Sequence, residues 1–156
     1  AIDRKTGFEK GIAGHANLKI VQSQTGDFTR SLGKEVMESF LQKENGGKDI
    51  CALYAHNDDM AVGAIQAIKE AGLKPGTDIL VVSIDAVPDI FKAMADGEAN
   101  ATVELTPNMA GPAFDALEAF WKDGTEPPKF IQTESKLYTQ ADNPAGEYEA
   151  RKGLGY

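Results

Sequence analysis

Residues 55–61 hold the most informative run of polar side chains, with the sequence AHNDDMA. The run follows an apolar stretch at 50–54 and leads into a helical pattern, so the sequence predicts a strand, a loop and a helix. The amide of Asn57 has donors and an acceptor, which suits binding to neighbouring hydroxyl groups of a neutral polar molecule. Asp58 and Asp59 stand where a helix N-terminus favours a cap oxygen and negative charge.

Polar residues thus follow the first apolar run, and we call such a strand end a polar tip. A second polar tip follows the apolar run 79–84, where Asp85 precedes a turn and another helix. A fully apolar run is typical of a strand that is covered on both faces. Since the carboxyl ends of parallel strands meet at one edge of an α/β sheet, the tips of consecutive strands should lie side by side. The sequence therefore predicts a binding site at this edge, with Arg4, Asn57, Asp85 and Glu104 as the candidates to line it.

The elements that must position these side chains recur about every 30 residues, the length of a βαβ unit. The predicted strands are 18–24, 49–54, 78–84 and 101–104, with a short strand at 137–139. The predicted helices are one beginning near Asp3, then 29–44, 58–71, 87–95 and 108–123, with a weak helical pattern in the tail 147–156. Right-handed crossovers would order these strands into an α/β fold with a doubly wound parallel sheet.

The composition argues against several classes of function. Lys+Arg 16 against Asp+Glu 24 gives a net charge of -8, and such an acidic chain lacks the clustered cations that bind nucleic acid or anionic membranes. Two histidines and one cysteine cannot form a zinc centre of the usual spacing, and no glycine-rich phosphate loop is present. We therefore expect no nucleic-acid partner and no cofactor.

Cys51 is the only cysteine and lies within a predicted strand. A lone cysteine in a strand is most simply a small buried hydrophobic residue. In an oxidising compartment an odd cysteine instead implies a partner elsewhere. The sequence leaves both interpretations open.

The chain carries a set of short motifs in order along nearly its whole length. They are Asp3-Arg4-x-x-Gly7-Phe8, His56-Asn57-Asp58-x-Met60-Ala61, Gly63-Ala64, Val82-x-Ile84-Asp85, Met94-x-x-Gly97, Ala101-Thr102-Val103 and Pro107-x-x-x-Gly111. With these motifs the chain resembles the type I periplasmic sugar-binding proteins of ABC transporters, in the ribose/galactose-binding class. Within this class, residues 26–30 and 103–112 are most similar to galactofuranose-binding members.

The resemblance implies a two-lobed periplasmic protein that closes on one sugar and is recognised by an ABC permease in the membrane. This chain resembles only the C-terminal half, a Rossmann-like three-layer lobe, and the N-terminal lobe would lie upstream. Residues 1–104 would form the C-terminal sugar-binding lobe. Residues 105–124 would cross over and place a helix on the missing N-terminal lobe, and 125–156 would form a return strand and a C-terminal tail.

Family members place an Arg, an Asn and an Asp that contact sugar hydroxyls at the positions of Arg4, Asn57 and Asp85. The chain departs from the family at Leu105, where many members have a sugar-binding Gln. Either that contact is absent here, or Glu104 at the neighbouring position makes an equivalent contact after a local shift. A second departure is Ala86, where a Gly is usual, which leaves the exact turn after the strand open. With the transport function we also expect a disulfide from Cys51 to a cysteine upstream of this chain.

Each of these residues also has an ordinary structural interpretation. Arg4 could be a solvated surface residue, Asn57 a turn residue with a local backbone bond, and Asp85 the cap of the helix near Val87. Two other functions also compete with sugar capture, which needs no covalent chemistry. One is the effector domain of a sugar-responsive LacI-type transcription repressor, and the other is an enzyme that uses Asp58 or Asp59 in a metal or phosphoacceptor role.

Overall fold

A computed structural model describes residues 2–154 of the chain. The helices are α1 Ile2–Ile12, α2 Arg30–Lys43, α3 Asp58–Glu70, α4 Pro88–Ala95, α5 Ala110–Asp123 and α6 Pro144–Arg151, with a 3-10 turn at Asn45–Gly47. The strands are β1 Ala52–Tyr54, β2 Leu80–Asp85, β3 Ala101–Glu104 and β4 Leu137–Thr139. Every predicted helix is present, with ends shifted by a few residues. Residue 1 and residues 155–156, which belong to the predicted segments 1–104 and 125–156, lie outside the described residues.

The four strands form one sheet in the order β1-β2-β3-β4. The first three strands are parallel, and β4 runs antiparallel to β3, so the sheet is mixed. The α/β class is confirmed, and the return strand at 137–139 is the one that departs from a wholly parallel sheet. Because β1, β2 and β3 point the same way, their carboxyl ends share one edge, where Asp85 stands opposite Glu104 in the register.

The predicted strand at 18–24 is wrong. Those residues have no regular secondary structure, and within residues 2–154 no backbone hydrogen bond joins 19–24 to another segment. Leu18, Ile20 and Val21 are exposed. An apolar, β-favouring run becomes a strand only where a neighbouring strand accepts and donates its backbone hydrogen bonds, and the described chain supplies none here.

Strand β2 is fully covered on one face and only partly covered on the other. Val81 and Ser83 are buried, whereas Leu80 is exposed and Val82 and Ile84 are half-buried. The prediction that this strand is covered on both faces is therefore wrong for the described chain. The buried face meets α3 and α4, whose buried residues include Ile68, Ile90, Phe91 and Met94.

Cys51 lies just before β1 and is exposed, so the interpretation of a buried hydrophobic residue is wrong. Strand β1 begins at Ala52, so Cys51 lies just outside it. Because β1 is a short strand at the edge of the sheet, the residue that precedes it stays in contact with water. Its thiol is free, and a chain with one cysteine forms no disulfide within itself. The expected disulfide to an upstream cysteine is not supported.

Helices α2 and α3 approach so closely that glycine is required at their contact. A Cβ added at Gly63 would lie 2.0 Å from the carbonyl oxygen of Arg30, and one added at Gly33 would lie 2.6 Å from the Cα of Met60. Both obstacles are backbone atoms, which cannot rotate away as a flexible side chain does. The spacing of these two helices therefore depends on Gly33 and Gly63.

Asp58, at the start of α3, is a fully buried carboxylate beneath the carboxyl edge of the sheet. Its oxygens accept hydrogen bonds from the hydroxyls of Ser83 in β2 and Thr102 in β3 and from the backbone N–H of Val87. Burial raises the pKa of Asp58 to about 6, against the opposing effect of these donors. One side chain thus ties α3, β2, β3 and the turn before α4 together.

We predict that Gly63→Ala destabilises the chain by at least about 2 kcal/mol, because the added methyl group would force the backbones of α2 and α3 apart. Denaturant unfolding followed by circular dichroism measures the loss. Gly11→Ala in α1 is the matched control, since a Cβ there meets nothing within 4 Å and alanine favours the helix. Equal stability of Gly63→Ala and the unmodified protein would contradict the close packing.

The buried carboxyl of Asp58 makes stability depend on pH in a defined direction. Its pKa is about 6 in the folded protein, against an ordinary value of 3.8, so the folded state binds more protons than the unfolded state between these values. Stability from this group therefore falls as the pH rises from about 4 to 6. Relative to Asp58→Asn, the unmodified protein should lose up to about 3 kcal/mol of unfolding free energy between pH 4 and 7. Urea titrations at both pH values measure this, and a difference that stays constant contradicts it.

Candidate functional site

The structure brings Arg4 and Asp85 together at the carboxyl edge of the sheet. Nη2 of Arg4 lies 3.0 Å from Oδ1 of Asp85, although the two residues are 81 positions apart in sequence. A second nitrogen of the same guanidinium donates to the backbone carbonyl of His56. Both charged side chains are largely buried but remain in contact with solvent, with 21% of the Arg4 side chain and 27% of the Asp85 side chain exposed. The pair therefore presents donors and an acceptor side by side at a surface that a small molecule can reach.

An unusual backbone turn places the carboxylate of Asp85. The φ angles of Asp85 and Ala86 are 129° and 65°, in the region that non-glycine residues rarely adopt. Ala86, at the position where the resemblance leads one to expect a glycine, takes a left-handed conformation at a cost of about 1 kcal/mol or more. The next helix, α4, begins with Val87 as its N-cap and has no side-chain cap. The interpretation of Asp85 as the cap of α4 is therefore wrong.

Partial burial shifts the ionisation of the groups around this edge. Burial raises the pKa of the Asp85 carboxyl, and the charge and hydrogen bond of Arg4 oppose that rise. Burial also lowers the pKa of His56, and the charge of Arg4 adds to the effect. Both shifts follow from the partial exclusion of water at this edge, and hydrogen bonds to charged groups are stronger in such surroundings than in water.

Asn57 lies at the same edge but is bonded elsewhere. Its Oδ1 accepts from the backbone N–H of Met60 at 3.0 Å and so caps α3, which is the local backbone bond of the alternative interpretation. Its Nδ2 donates to the carbonyl oxygen of Phe28 at 3.3 Å. Within residues 2–154, no hydrogen bond joins Asn57 to Arg4 or Asp85. The amide is 6% exposed, and its nitrogen has a second N–H available to a ligand.

The carboxylate of Glu104 is held by Arg151 of α6. Nη1 of Arg151 lies 2.9 Å from Oε1 of Glu104, and Nη2 donates to the hydroxyl of Tyr138 at 2.7 Å. In the part of the chain that the structure describes, no side-chain hydrogen bond or ion pair joins Glu104 to Arg4, Asn57 or Asp85. This arrangement favours a structural role for Glu104, in which it fastens α6 to the end of β3.

Stacked aromatic rings hold α1, and with it Arg4, against β1. The rings of Phe8 and Tyr54 lie 4.3 Å apart and are inclined by only 9°, and Tyr54 also contacts the ring of His56. The hydroxyl of Tyr54 donates to the backbone carbonyl of Arg4. This support was not predicted from the sequence, although an aromatic residue four positions after Arg4 lies on the same helix face and indicates it.

Phe28 is a second residue at this edge that sequence reasoning did not place in the site. Its ring is 48% exposed, its φ is 59°, and its carbonyl is bonded to Asn57. The residue after it, Thr29, caps α2 through a bond from the N–H of Leu32, at the predicted start of the helix 29–44. A solvent-exposed aromatic ring beside polar groups is a common feature of small-molecule sites.

Two features of other protein classes, a metal-binding cluster and a membrane-spanning helix, are absent from the described residues. Among residues 2–154, no three His, Cys, Asp or Glu side chains come together in a way that could hold a metal ion. In the same stretch no helix is both long and apolar enough to cross a membrane. What the edge offers is a guanidinium, a carboxylate and an amide, which are the groups that hydrogen-bond to hydroxyls.

Comparison with known proteins shows extensive similarity to sugar-binding components of importers. Residues 1–123 match the family described as periplasmic binding protein domain. The galactofuranose-binding protein YtfQ of Escherichia coli K12 is 67% identical over 156 residues, which are 100% of this chain and 49% of that protein. The ribose import binding protein RbsB of Salmonella typhimurium LT2 is 37% identical over 111 residues, covering 71% of this chain and 35% of that protein.

Solved structures give the same result. A crystal structure of a galactofuranose binding protein has 67% identity and a TM-score of 0.93, and covers 100% of this chain and 52% of its own. The periplasmic component of the arabinose ABC transporter from Shewanella sp. ANA-3, bound to α- and β-L-arabinofuranose, has 58% identity and a TM-score of 0.92, with 99% and 50% covered. This chain thus spans about half the length of these relatives. The extended family match and the shared fold show that the chain belongs to the periplasmic binding protein domain family.

Proposed function

We propose that this chain is the C-terminal lobe of a two-lobed sugar-binding protein that serves an ABC importer in the periplasm. Its ligand is a monosaccharide in the furanose form, with galactofuranose as the leading candidate. The single observation that carries the proposal is the half-buried pair of Arg4 and Asp85 at the carboxyl edge of the parallel strands. Relatives of matching fold bind furanose sugars, and their names support this choice.

Arg4 and Asp85 suit the recognition of a polyol. The planar guanidinium offers a fixed fork of donors, and the ionised carboxylate accepts from two hydroxyls at once. Each group holds the other in place before the sugar arrives, so less side-chain entropy is lost on binding. The ligand then exchanges part of the Arg4–Asp85 contact for bonds to its own hydroxyls.

Asn57 and Phe28 complete the proposed site on this lobe. The free N–H of the Asn57 amide donates to a sugar hydroxyl, while its oxygen remains bonded to α3. The exposed ring of Phe28 packs against an apolar face of the sugar, which combines with polar contacts to fix the orientation of a ligand. The opposite wall of the cleft belongs to the N-terminal lobe.

The segments of the chain divide between the two lobes. Residues 1–104 form the sugar-binding lobe, and 105–124 cross over so that α5 packs on the N-terminal lobe. Residues 125–156 return to pair β4 with β3 and form the C-terminal tail. This division is supported by α5, which has no buried residue and exposes Phe114, Leu117 and Trp121, with Trp121 74% exposed. The occupant of this apolar face is the N-terminal half, since the chain covers about half of its relatives.

Capture of the sugar is reversible and involves no covalent step. Closure of the lobes about a hinge traps the ligand, and the membrane permease recognises the closed form. The relatives reported above are import binding proteins and not enzymes, which favours this function over a LacI-type repressor and over an enzyme that uses Asp58 or Asp59. The bonds of Asp58 to Ser83 and Thr102 and of Asp59 to Arg30 also account for both carboxylates without any reaction.

We predict that Arg4→Ala and Asp85→Ala each weaken furanose binding by about 2 kcal/mol or more in the full-length protein, because each leaves a half-buried polar partner unpaired. Isothermal titration calorimetry with galactofuranose and L-arabinofuranose measures the affinities. Lys34→Ala is the control, since it breaks ion pairs with Glu38 and Glu70 away from the site and should leave affinity unchanged. Unchanged affinity in both test variants would remove these residues from the site.

The lobe assignment of α5 predicts an effect that depends on the N-terminal half. Trp121→Ala should destabilise the full-length protein by about 3 kcal/mol, because a large buried side chain is lost from the interface with that half. In the isolated chain, where Trp121 is exposed, the same substitution should change stability by less than about 0.5 kcal/mol. Chemical denaturation of both forms measures the two values. Equal effects in both forms would show that α5 does not pack on the N-terminal lobe.

A further inference from the structure

We propose that Asp58 is the positioning residue for Asp85. Its buried carboxylate holds the turn after β2 in the geometry that directs the Asp85 carboxylate toward Arg4 and the sugar. This inference rests on the proposed function, because Asp85 binds the ligand there and Asp58 acts only through it.

The two amides that follow Asp85 are both held by this network. The N–H of Val87 donates directly to Oδ2 of Asp58 at 2.9 Å. The N–H of Ala86 donates to the hydroxyl oxygen of Thr102 at 3.3 Å, and that hydroxyl donates its own proton to Oδ1 of Asp58 at 2.9 Å. The backbone on the carboxyl side of Asp85 is therefore fixed at consecutive positions by one carboxylate.

The turn needs such support because its backbone is strained. Both Asp85 and Ala86 have positive φ angles, which for residues with a Cβ persist only where the surroundings hold them. Ala86 is also buried, so the turn cannot relax outward without opening the core. Without an acceptor for the Val87 N–H, a more ordinary backbone conformation would become accessible and would swing the Asp85 carboxylate away from Arg4.

A comparison with Asp59 distinguishes the positioning role of Asp58 from the general stabilising effect of a negative charge at a helix N-terminus. Asp58 and Asp59 both lie in the first turn of α3, where a negative charge stabilises the helix. Asp59, however, is partly exposed and pairs with Arg30, and none of its hydrogen bonds among the described residues reaches the turn at 85–87. If Asp58 acted only through the helix, the two aspartates would have similar effects on binding.

A double-mutant cycle in the full-length protein tests the proposal, with affinity for galactofuranose and L-arabinofuranose measured by calorimetry far below the melting temperature of each variant. Asp58→Asn keeps the shape of the side chain but replaces one of its two oxygens by an NH₂ group. In one orientation of the amide this group faces the N–H of Val87, and in the other it takes the place of the acceptor for the two hydroxyls. It should weaken binding about tenfold in the otherwise unmodified protein. In the Asp85→Asn background the same change should cost less than about threefold, because the group through which it acts has already been altered.

Asp59→Asn is the matched control and should change affinity less than about threefold in either background. Hydrogen exchange of the Val87 amide supplies an independent readout, and its protection should fall in Asp58→Asn but not in Asp59→Asn. Should Asp58→Asn fail to fold, Thr102→Val carries the same test, because it removes both the donor to Asp58 and the acceptor of the Ala86 N–H.

The outcomes separate the two proposals. If the unmodified protein binds no furanose, or if Asp85→Asn binds as tightly as the unmodified protein, the proposed function fails and the role of Asp58 fails with it. If Asp85→Asn binds weakly while Asp58→Asn and Thr102→Val keep full affinity, the positioning role alone is overturned. An equal loss of affinity in both backgrounds also overturns it, since Asp58 would then act on the whole lobe and not through Asp85.

Discussion

The buried carboxylate of Asp58 is the interaction on which the carboxyl edge of the sheet depends. A charge without water is costly, and here three donors from separate elements offset part of that cost. They come from β2, from β3 and from the turn before α4, while Asp58 itself begins α3. Since each donor would be left without its acceptor if an element shifted, the carboxylate sets the relative positions of all four. The raised pKa of about 6 agrees with this partial compensation, because burial outweighs the three hydrogen bonds.

Above this buried layer lies the charged pair of Arg4 and Asp85, which we propose contacts the ligand. Arg4 comes from α1, which precedes the sheet in sequence and is held against β1 by the stacked rings of Phe8 and Tyr54. Asp85 comes from the strained turn at the end of β2. Arg4 is thus positioned by aromatic packing, and Asp85 is positioned by the hydrogen bonds of the turn that follows it. The two sets of contacts share no residue. A pair held in this way is preorganised for hydroxyl groups before any ligand binds.

Large apolar surfaces of the chain lie outside its core. Helix α5 has no buried residue, residues 18–24 form no strand, and one face of β2 is only partly covered. Extensive exposed apolar surface is a common feature of an interface with another part of a protein. Residues 18–24 precede β1, and α5 follows β3. Their exposure supports the proposal that this lobe contacts a second lobe.

The sequence by itself determined the order and type of the elements that form and the polar tips of β1 and β2, because apolar periodicity and local backbone bonds such as that of Asn57 act within a few residues of one another. It did not determine which tips would meet. Arg4 reaches Asp85 across 81 positions, Glu104 turns to Arg151, and residues 18–24 find no strand partner. Only the tertiary structure decided these points, since strand pairing and ion pairs between distant segments depend on which backbones lie alongside each other, and no local pattern carries that information.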